Sequence, residues 1–205
     1  EQVKQTHNEP FNLESGPLFK VTLFKHTPQS HILLISIHHI ICDMWSLWVL
    51  VDEFSTLYAA KTEGKKATLP PIKRSYHQFI TWQQNVVETQ KEKLQSYWHQ
   101  QLGGELPALN LPTDKPRPPV QTLQGFLKPF SLSSNLTTHL KALAKQEKTT
   151  LYVVLMTAFQ VFLHRYTGQN DILVGMPTAG RNHAEFSRTI GYLVNPVVLR
   201  GKIEN

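Results

Sequence analysis

The chain has 205 residues, 40% of them hydrophobic and 18% charged, which is typical of a folded globular protein and excludes a disordered or fibrous one. Its formal charge of +6 comes from basic residues that are spread along the sequence, with local groupings only at 61–66 and 115–117, so a nucleic-acid-binding face is not expected. No apolar run is long enough to cross a bilayer, no signal-peptide core begins the sequence, and the single cysteine, Cys42, has no partner for a disulfide within the chain, so a cytoplasmic protein is expected.

The first predicted elements are two strands that form a hairpin. Residues 17–26 and 31–39 are rich in residues that favour strands, and the four residues between them have turn chemistry. The apolar run of the second strand is nearly continuous, which predicts a strand that is buried on both faces. Because side chains alternate along a strand, His38 and His39 at its end are expected to point to opposite sides.

Helices are predicted after the hairpin. Ser46 is the expected N-cap of the first helix, whose apolar residues recur at helical spacing until Gly64 ends it. A second helical region is predicted from 75 to 102, because Gly103 and Gly104 follow it.

Five prolines between residues 107 and 119 mark a change of composition and favour an extended connection, which we interpret as the boundary between two lobes. The elements predicted after it are a strand, two helices and two strands, at 125–132, 134–148, 151–166, 171–176 and 192–203. The second of these helices is apolar on most sides, which predicts a central buried helix. The alternation of helices and strands indicates the α/β fold class.

The segment 37–46 contains the residues best suited to chemistry. His38 and His39 end the second strand, and Asp43 follows four residues after His39. Imidazole exchanges protons near neutral pH, and a carboxylate can either orient a histidine directly or hold the turn by pairing with a distant arginine. Spacing alone leaves both roles of Asp43 open, and it leaves structural roles open for both histidines. A metal site formed by the three residues is disfavoured, because the histidines are expected to point apart.

Several segments resemble, in order, those of the condensation domains of nonribosomal peptide synthetases. Residues 38–43, His-His-Ile-Ile-Cys-Asp, are similar to the family's His-His-x-x-x-Asp motif. The further matches are Phe-Asn-Leu-Glu-Ser-Gly-Pro-Leu at 11–18, Tyr-His-Gln-Phe-Ile-Thr-Trp at 76–82, Leu-Pro-Thr-Asp-Lys-Pro-Arg-Pro at 111–118, Asp-Ile-Leu-Val-Gly at 171–175, Ala-Gly-Arg-Asn at 179–182 and Ile-Gly-Tyr-Leu-Val-Asn at 190–195. The matches span nearly the whole chain, which therefore resembles the central portion of such a domain.

This resemblance implies a two-lobed fold of the chloramphenicol acetyltransferase-like superfamily, incomplete at both ends in this chain. Residues 1–106 are then the C-terminal part of the first lobe, 107–120 the linker, and 121–205 the N-terminal part of the second lobe. The implied reaction is amide formation, in which the amine of an acceptor aminoacyl thioester attacks the carbonyl of a donor acyl or peptidyl thioester. Donor and acceptor carrier proteins supply both substrates on phosphopantetheine arms, neighbouring synthetase domains are further partners, and the domain itself binds no cofactor or metal.

The resemblance also implies roles for individual residues. His39 is the expected catalytic residue, acting either as a base towards the amine or as a positioning group, and His38 is expected to be structural. Asp43 is expected to form an ion pair with Arg181 that holds the turn. Asn195 is expected either to face the tunnel between the lobes or to pack at the end of a strand.

One position departs from the family pattern. Met44 stands where the family usually has glycine, so we expect it to restrict the backbone and either to narrow the tunnel beside His39 or to pack aside. Two alternatives stay open: an ester-forming acyltransferase of the same superfamily, and a non-catalytic module that docks carrier proteins. The 205 residues alone are not expected to bury a complete core.

Overall fold

A computed structural model of the chain describes residues 1–116, 118–122 and 125–204. Its helices and strands are α1 (Gln2–His7), β1 (Phe19–Lys25), β2 (His31–Ile37), α2 (Met44–Thr62), α3 (Tyr76–Thr89), α4 (Lys91–Leu102), α5 (Ser134–Gln146), α6 (Leu151–Thr167), β3 (Asp171–Thr178), a short 3₁₀ helix (Ala184–Phe186) and β4 (Asn195–Lys202).

The chain divides into two compact units. The first contains Glu1–Glu92 and Pro177–Pro196, and the second contains Lys93–Met176 and Val197–Asn205. The late segment Pro177–Pro196 therefore packs with residues of the first unit that lie far from it in sequence. The assignment of 1–106 and 121–205 to two lobes stays a prediction.

The predicted hairpin is confirmed. β1 and β2 pair antiparallel, with Phe19 opposite Ile37 and Lys25 opposite His31. However, β2 ends at Ile37, and none of its residues is fully buried. The prediction of a strand buried on both faces is therefore wrong, because the sheet has only two strands in the described part of the chain and its faces and edges stay partly open.

The helix predicted to follow Ser46 begins earlier than expected. α2 begins at Met44, and its N-cap is Asp43, whose side chain accepts a hydrogen bond from the amide of Ser46. The prediction that Ser46 caps the helix is wrong, because a carboxylate three residues earlier already satisfies that amide. The helix ends at Thr62, close to the predicted terminator Gly64, which adopts a left-handed φ of +68°.

The helical region predicted from 75 to 102 consists of two helices. α3 begins after Ser75, whose side chain forms a capping box with Gln78. It ends at Thr89, and α4 begins at Lys91. Neither glycine nor proline lies near Gln90, so the local sequence does not mark this break.

The core of the first unit joins α3 to the late segment. Phe79 of α3, Phe186 and Leu193 are buried together, and Tyr76 and Trp82 pack against them. The rings of Phe79 and Phe186 meet edge to face, with centroids 5.4 Å apart. This packing fixes residues 186–193 within the first unit.

In the second unit, the predictions of α5, α6 and β3 are confirmed. Ser133 and Thr150 cap α5 and α6, and β3 and β4 form a two-stranded sheet. Arg200 of β4 donates a hydrogen bond of 2.8 Å to Asp171 of β3. The prediction that α6 is a buried central helix is wrong: Leu163 is its buried residue, because the described residues of this unit cover only part of the helix surface.

The strand predicted at 125–132 is not formed. Phe126, Leu127 and Phe130 are 85–95% exposed, and no described residue pairs with this segment to satisfy its amides. In the predicted linker at 107–120, Arg117 lies outside the described residues, and the others form neither helix nor strand. Within the described ranges, no helix is both long and apolar enough to cross a membrane.

Candidate active site

The candidate site lies in the first unit, where a turn connects β2 to α2. The amide of His38 donates to the carbonyl of Leu18 at 2.9 Å, which extends the strand pairing by one residue beyond β2. The amide of Ile41 then bonds the carbonyl of His38, and the amide of Cys42 bonds that of His39. The resulting turn places His39 just before the N-terminus of α2.

The ion pair predicted between Asp43 and Arg181 is present. Arg181 Nη1 donates to Asp43 Oδ2 at 2.7 Å, and Nη2 donates to Oδ1 at 3.0 Å. The side chain of Asp43 is 0% exposed, and that of Arg181 is 2% exposed. This bidentate, charge-assisted pair connects the turn after β2 to the late segment of the first unit.

The carboxylate of Asp43 has no acceptor site left for His39. Besides the two bonds from Arg181, its oxygens accept bonds from the amides of Ser46, at 2.8 Å, and Leu193, at 3.0 Å. A carboxylate offers about four acceptor sites, and all are used here. Of the two roles that spacing left open, these contacts match the pairing with a distant arginine and leave no acceptor for a bond from the histidine.

The same contacts shift the titration of Asp43. Burial acts to raise its pKa, but hydrogen bonds from Arg181, Ser46 and Leu193 outweigh burial and hold the pKa below its ordinary value of 3.8. Asp43 is therefore ionised at neutral pH and keeps its partner.

Ser46 is a site residue whose importance the sequence did not reveal. Its side chain is fully buried, donates to the carbonyl of Gly191 at 2.9 Å, and accepts from the amide of Gly191 at 3.0 Å and from Arg181 Nη2 at 2.8 Å. Its position three residues after Asp43 indicates a helix start. A bond to a residue 145 positions away, however, leaves no trace in the local pattern.

His39 lies at the surface of the site, between two open cavities. One, of about 160 Å³, is lined by His39, Ile35, Ile37, Cys42, Asp43, Met44 and Leu47. The other, of about 280 Å³, is lined by His39, Ile40 and Tyr192. The His39 ring meets the Tyr192 ring edge on, with centroids 5.4 Å apart and planes at 71°. Among the described residues, none forms a hydrogen bond with its ring nitrogens, and the residue is exposed.

His38 contacts a different part of the unit. Its ring packs edge on against Phe11 at 5.7 Å, and its Nδ1 accepts a bond from the amide of Ile40 at 3.2 Å. The two rings therefore have different neighbours, and the structural role of His38 stays a prediction. In the described part of the chain, no group of three or more His, Cys, Asp or Glu side chains could hold a metal ion.

Met44 occupies a position where the backbone needs no conformation reserved for glycine. It is the first residue of α2 and adopts a helical conformation that is open to every L-residue. Its side chain is 63% exposed and lines the smaller cavity with His39. The narrowing of a tunnel by Met44 stays a prediction.

Asn195 has different neighbours from His39. It begins β4, and its side-chain nitrogen is 3.4 Å from the carbonyl oxygen of Leu193, to which it donates. Together with residues of α3, it lines a separate cavity. It does not line either of the two cavities beside His39. Its role in the site stays a prediction.

Cys42 is not suited to nucleophilic catalysis. Burial raises the pKa of its thiol above the ordinary value of 9.0, the charge of Asp43 raises it further, and the charge of Arg181 opposes them. The thiol is therefore protonated at neutral pH, whereas nucleophilic catalysis needs the thiolate.

Comparison with known proteins places these features in a family. The family model described as "Condensation domain" matches residues 1–205. The chain is 41% identical over 201 residues to surfactin synthase subunit 1 of Bacillus subtilis (strain 168), a match that covers 98% of this chain and 5% of that protein.

Two solved structures share the fold. The X-domain in complex with OxyB from teicoplanin biosynthesis matches with a TM-score of 0.82 and 18% identity, over 100% of this chain and 46% of that chain. The first condensation domain of the CDA synthetase matches with a TM-score of 0.79 and 20% identity, over 100% of this chain and 45% of that chain. These matches confirm the predicted α/β fold of the chloramphenicol acetyltransferase-like class. The chain spans about half the length of the matched structures.

Proposed function

The chain belongs to the condensation domain family of nonribosomal peptide synthetases, and on this premise we propose that it catalyses amide formation between two carrier-bound thioesters. The donor is an acyl or peptidyl thioester, and the acceptor is an aminoacyl thioester. Each is attached to a phosphopantetheine arm of a carrier protein, so the domain needs no bound cofactor of its own. A cytoplasmic location is part of the same proposal.

The observation that supports this proposal most strongly is the environment of His39. Its ring borders two open cavities, whereas the nearby Asp43 is buried and fully hydrogen-bonded to other groups. In a catalytic triad, a carboxylate partner stabilises the imidazolium that forms when histidine takes a proton. Asp43 cannot serve His39 in this way. We therefore assign His39 as a positioning group that accepts a hydrogen bond from the attacking amine.

The proposed step is a substitution at the donor carbonyl. The neutral amine of the acceptor attacks the carbonyl carbon, the new C–N bond forms, and the C–S bond to the donor arm breaks. The proton lost by the nitrogen balances the one taken up by the departing thiolate. Holding the amine against the carbonyl can account for much of the acceleration, because oriented reactants avoid the entropic cost of meeting in solution.

The test uses the full-length protein with donor and acceptor carrier proteins loaded with defined thioesters. Mass spectrometry of the acceptor arm is expected to detect the amide with an α-amino acceptor and no ester with the matched α-hydroxy acceptor. Ester formation alone would instead support an ester-forming acyltransferase. Carrier binding with neither product would support a non-catalytic docking module and contradict the proposal.

A further inference from the structure

We propose that Tyr192 is a positioning residue that fixes the ring of His39, an inference that rests on the role proposed above for His39. The edge-on contact between the two rings, with centroids 5.4 Å apart and planes at 71°, has the geometry that aromatic pairs favour. Tyr192 is 40% exposed and borders the larger cavity with His39, so its side chain lies at the site and not in the core.

His39 needs such a partner because hydrogen bonds do not orient it. Histidines that act in catalysis are usually held by a carboxylate or carbonyl on the second ring nitrogen. The carboxylate of Asp43 is already occupied, and within the described ranges no other residue bonds the His39 ring nitrogens. Among the described residues, the edge-on contact with Tyr192 is the aromatic contact that can restrict the rotation of the ring.

The backbone around Tyr192 is itself held on both sides. On one side, the carbonyl of Gly191 accepts bonds from the amide of Asp43, at 3.1 Å, and from the hydroxyl of Ser46, at 2.9 Å. On the other side, the amide of Leu193 donates to Asp43 Oδ2 at 3.0 Å. Tyr192 therefore lies between two anchored residues, and its own carbonyl accepts a bond from the hydroxyl of Tyr76 at 3.1 Å.

Close packing at Gly191 limits this segment further. A Cβ atom at Gly191 would lie 2.3 Å from Cδ2 of Tyr76, closer than real Cβ contacts allow. Glycine thus lets the segment lie directly against the Tyr76 ring. Through the bond between Asp43 and the amide of Leu193, the buried pair of Asp43 and Arg181 helps to hold the residue that follows Tyr192.

The first test measures turnover in the full-length protein with loaded carriers. Tyr192→Leu removes the aromatic edge and is expected to lower kcat roughly 3- to 10-fold, the range that corresponds to the free energy of an aromatic pair, without a comparable change in KM. Tyr192→Phe keeps the ring and is expected to restore kcat. The matched control is Tyr58→Leu, which removes a tyrosine that is 63% exposed and stacked on Phe54, away from the site.

A double-mutant cycle separates positioning from a general structural effect. If Tyr192 acts through His39, Tyr192→Leu has no further effect on kcat in the His39→Ala background. An equal loss in both backgrounds would overturn the inference. Should His39→Ala keep the turnover of the unmodified protein, the proposed function of His39 fails instead, so the two failures are distinguishable.

A second measurement does not depend on activity. Diethyl pyrocarbonate modifies accessible imidazoles, and peptide mass spectrometry gives the rate at each histidine. In Tyr192→Leu, the rate at His39 is expected to rise several-fold, while the rate at the exposed His31 stays the same and Tyr192→Phe behaves like the unmodified protein. An unchanged modification rate at His39 in Tyr192→Leu would overturn the inference. This result can be read even if His39→Ala has too little turnover for the double-mutant cycle.

Discussion

Asp43 lies four residues from His39 in sequence, yet its carboxylate serves other groups. It caps α2 through the amide of Ser46, pairs with Arg181 and holds the amide of Leu193. Each of these contacts joins the turn after β2 to another part of the first unit. Asp43 therefore supports the site by fixing its frame.

Replacing Asp43 is expected to destabilise the protein strongly. Asp43→Asn leaves the buried charge of Arg181 without its partner, and the free energy of unfolding at pH 7 should fall by about 3–5 kcal/mol. The matched control is Asp52→Asn, because the Asp52 side chain is 65% exposed and its pair with Arg188, at 3.3 Å, should contribute about 1 kcal/mol or less. Urea unfolding of the full-length protein and both variants measures these changes in unfolding free energy. Equal losses of unfolding free energy in the two variants would contradict the role given to the pair of Asp43 and Arg181.

The effect of Asp43→Asn should also depend on pH. Because folding lowers the pKa of Asp43 below its ordinary value of 3.8, the ionised carboxylate stabilises the fold above about pH 4. That stabilisation is lost as the pH falls through the lower, folded-state pKa. The difference in unfolding free energy between the unmodified protein and the variant should therefore shrink below pH 4, and a constant difference would contradict this origin.

The family resemblance, and not the local pattern, identified the partner of Asp43. Spacing could suggest that an aspartate near two histidines matters, but Arg181 lies 138 residues away. Contacts over such separations depend on tertiary packing, which no helical or strand period encodes. The contact of Tyr192 with His39 was missed for the same reason.

At the level of elements, the start of α2 connects local and long-range structure. Asp43 forms the cap, and Ser46, in the first turn, reaches the late segment through Gly191. The first turn of α2 thereby provides both the capping hydrogen bond and the hydrogen bond that holds the segment containing Tyr192.

Ser46→Ala is expected to weaken this anchor. It removes bonds with Gly191 and Arg181 in a fully buried position, and the unfolding free energy should fall by about 1–3 kcal/mol. The control on the same helix is Ser55→Ala. The exposed hydroxyl of Ser55 bonds only the carbonyl of Val51 among its described contacts, so its loss should change the unfolding free energy by about 0.5 kcal/mol or less. Urea unfolding compares the two variants, and a Ser46→Ala variant as stable as Ser55→Ala would contradict the role of Ser46.

The sequence predicted elements well where caps and period agree. α5 and α6 follow Ser133 and Thr150, which cap them as Ser and Thr commonly do. The sequence failed where tertiary structure decides. The segment 125–132 has strand-like composition but no neighbouring strand among the described residues, and the break between α3 and α4 lies in a continuous helical pattern.

At the scale of the whole molecule, much apolar surface is uncovered. The exposed fraction is 64% for Leu23, 67% for Trp48 and 53% for Phe162. So many exposed large apolar side chains are more than a folded monomer usually leaves in contact with water.

The 205 residues alone are therefore expected to bind a hydrophobic dye strongly and to unfold over a broad temperature range. The control is the full-length protein, in which dye binding per condensation domain should be weaker. Fluorescence and far-UV circular dichroism measure these properties. A sharp cooperative transition without dye binding would contradict the expectation that this stretch does not bury a complete core.

The central claim, that His39 orients the attacking amine, is tested most directly by single-turnover amide formation in the full-length protein. His39→Ala is expected to lower the rate on the order of 100-fold or more. His39→Gln should recover part of the rate, because its amide oxygen accepts a hydrogen bond but takes no proton at neutral pH. His31→Ala, on the exposed hairpin, is the control and should leave the rate unchanged. A folded His39→Ala variant that forms amide at the rate of the unmodified protein would contradict the account.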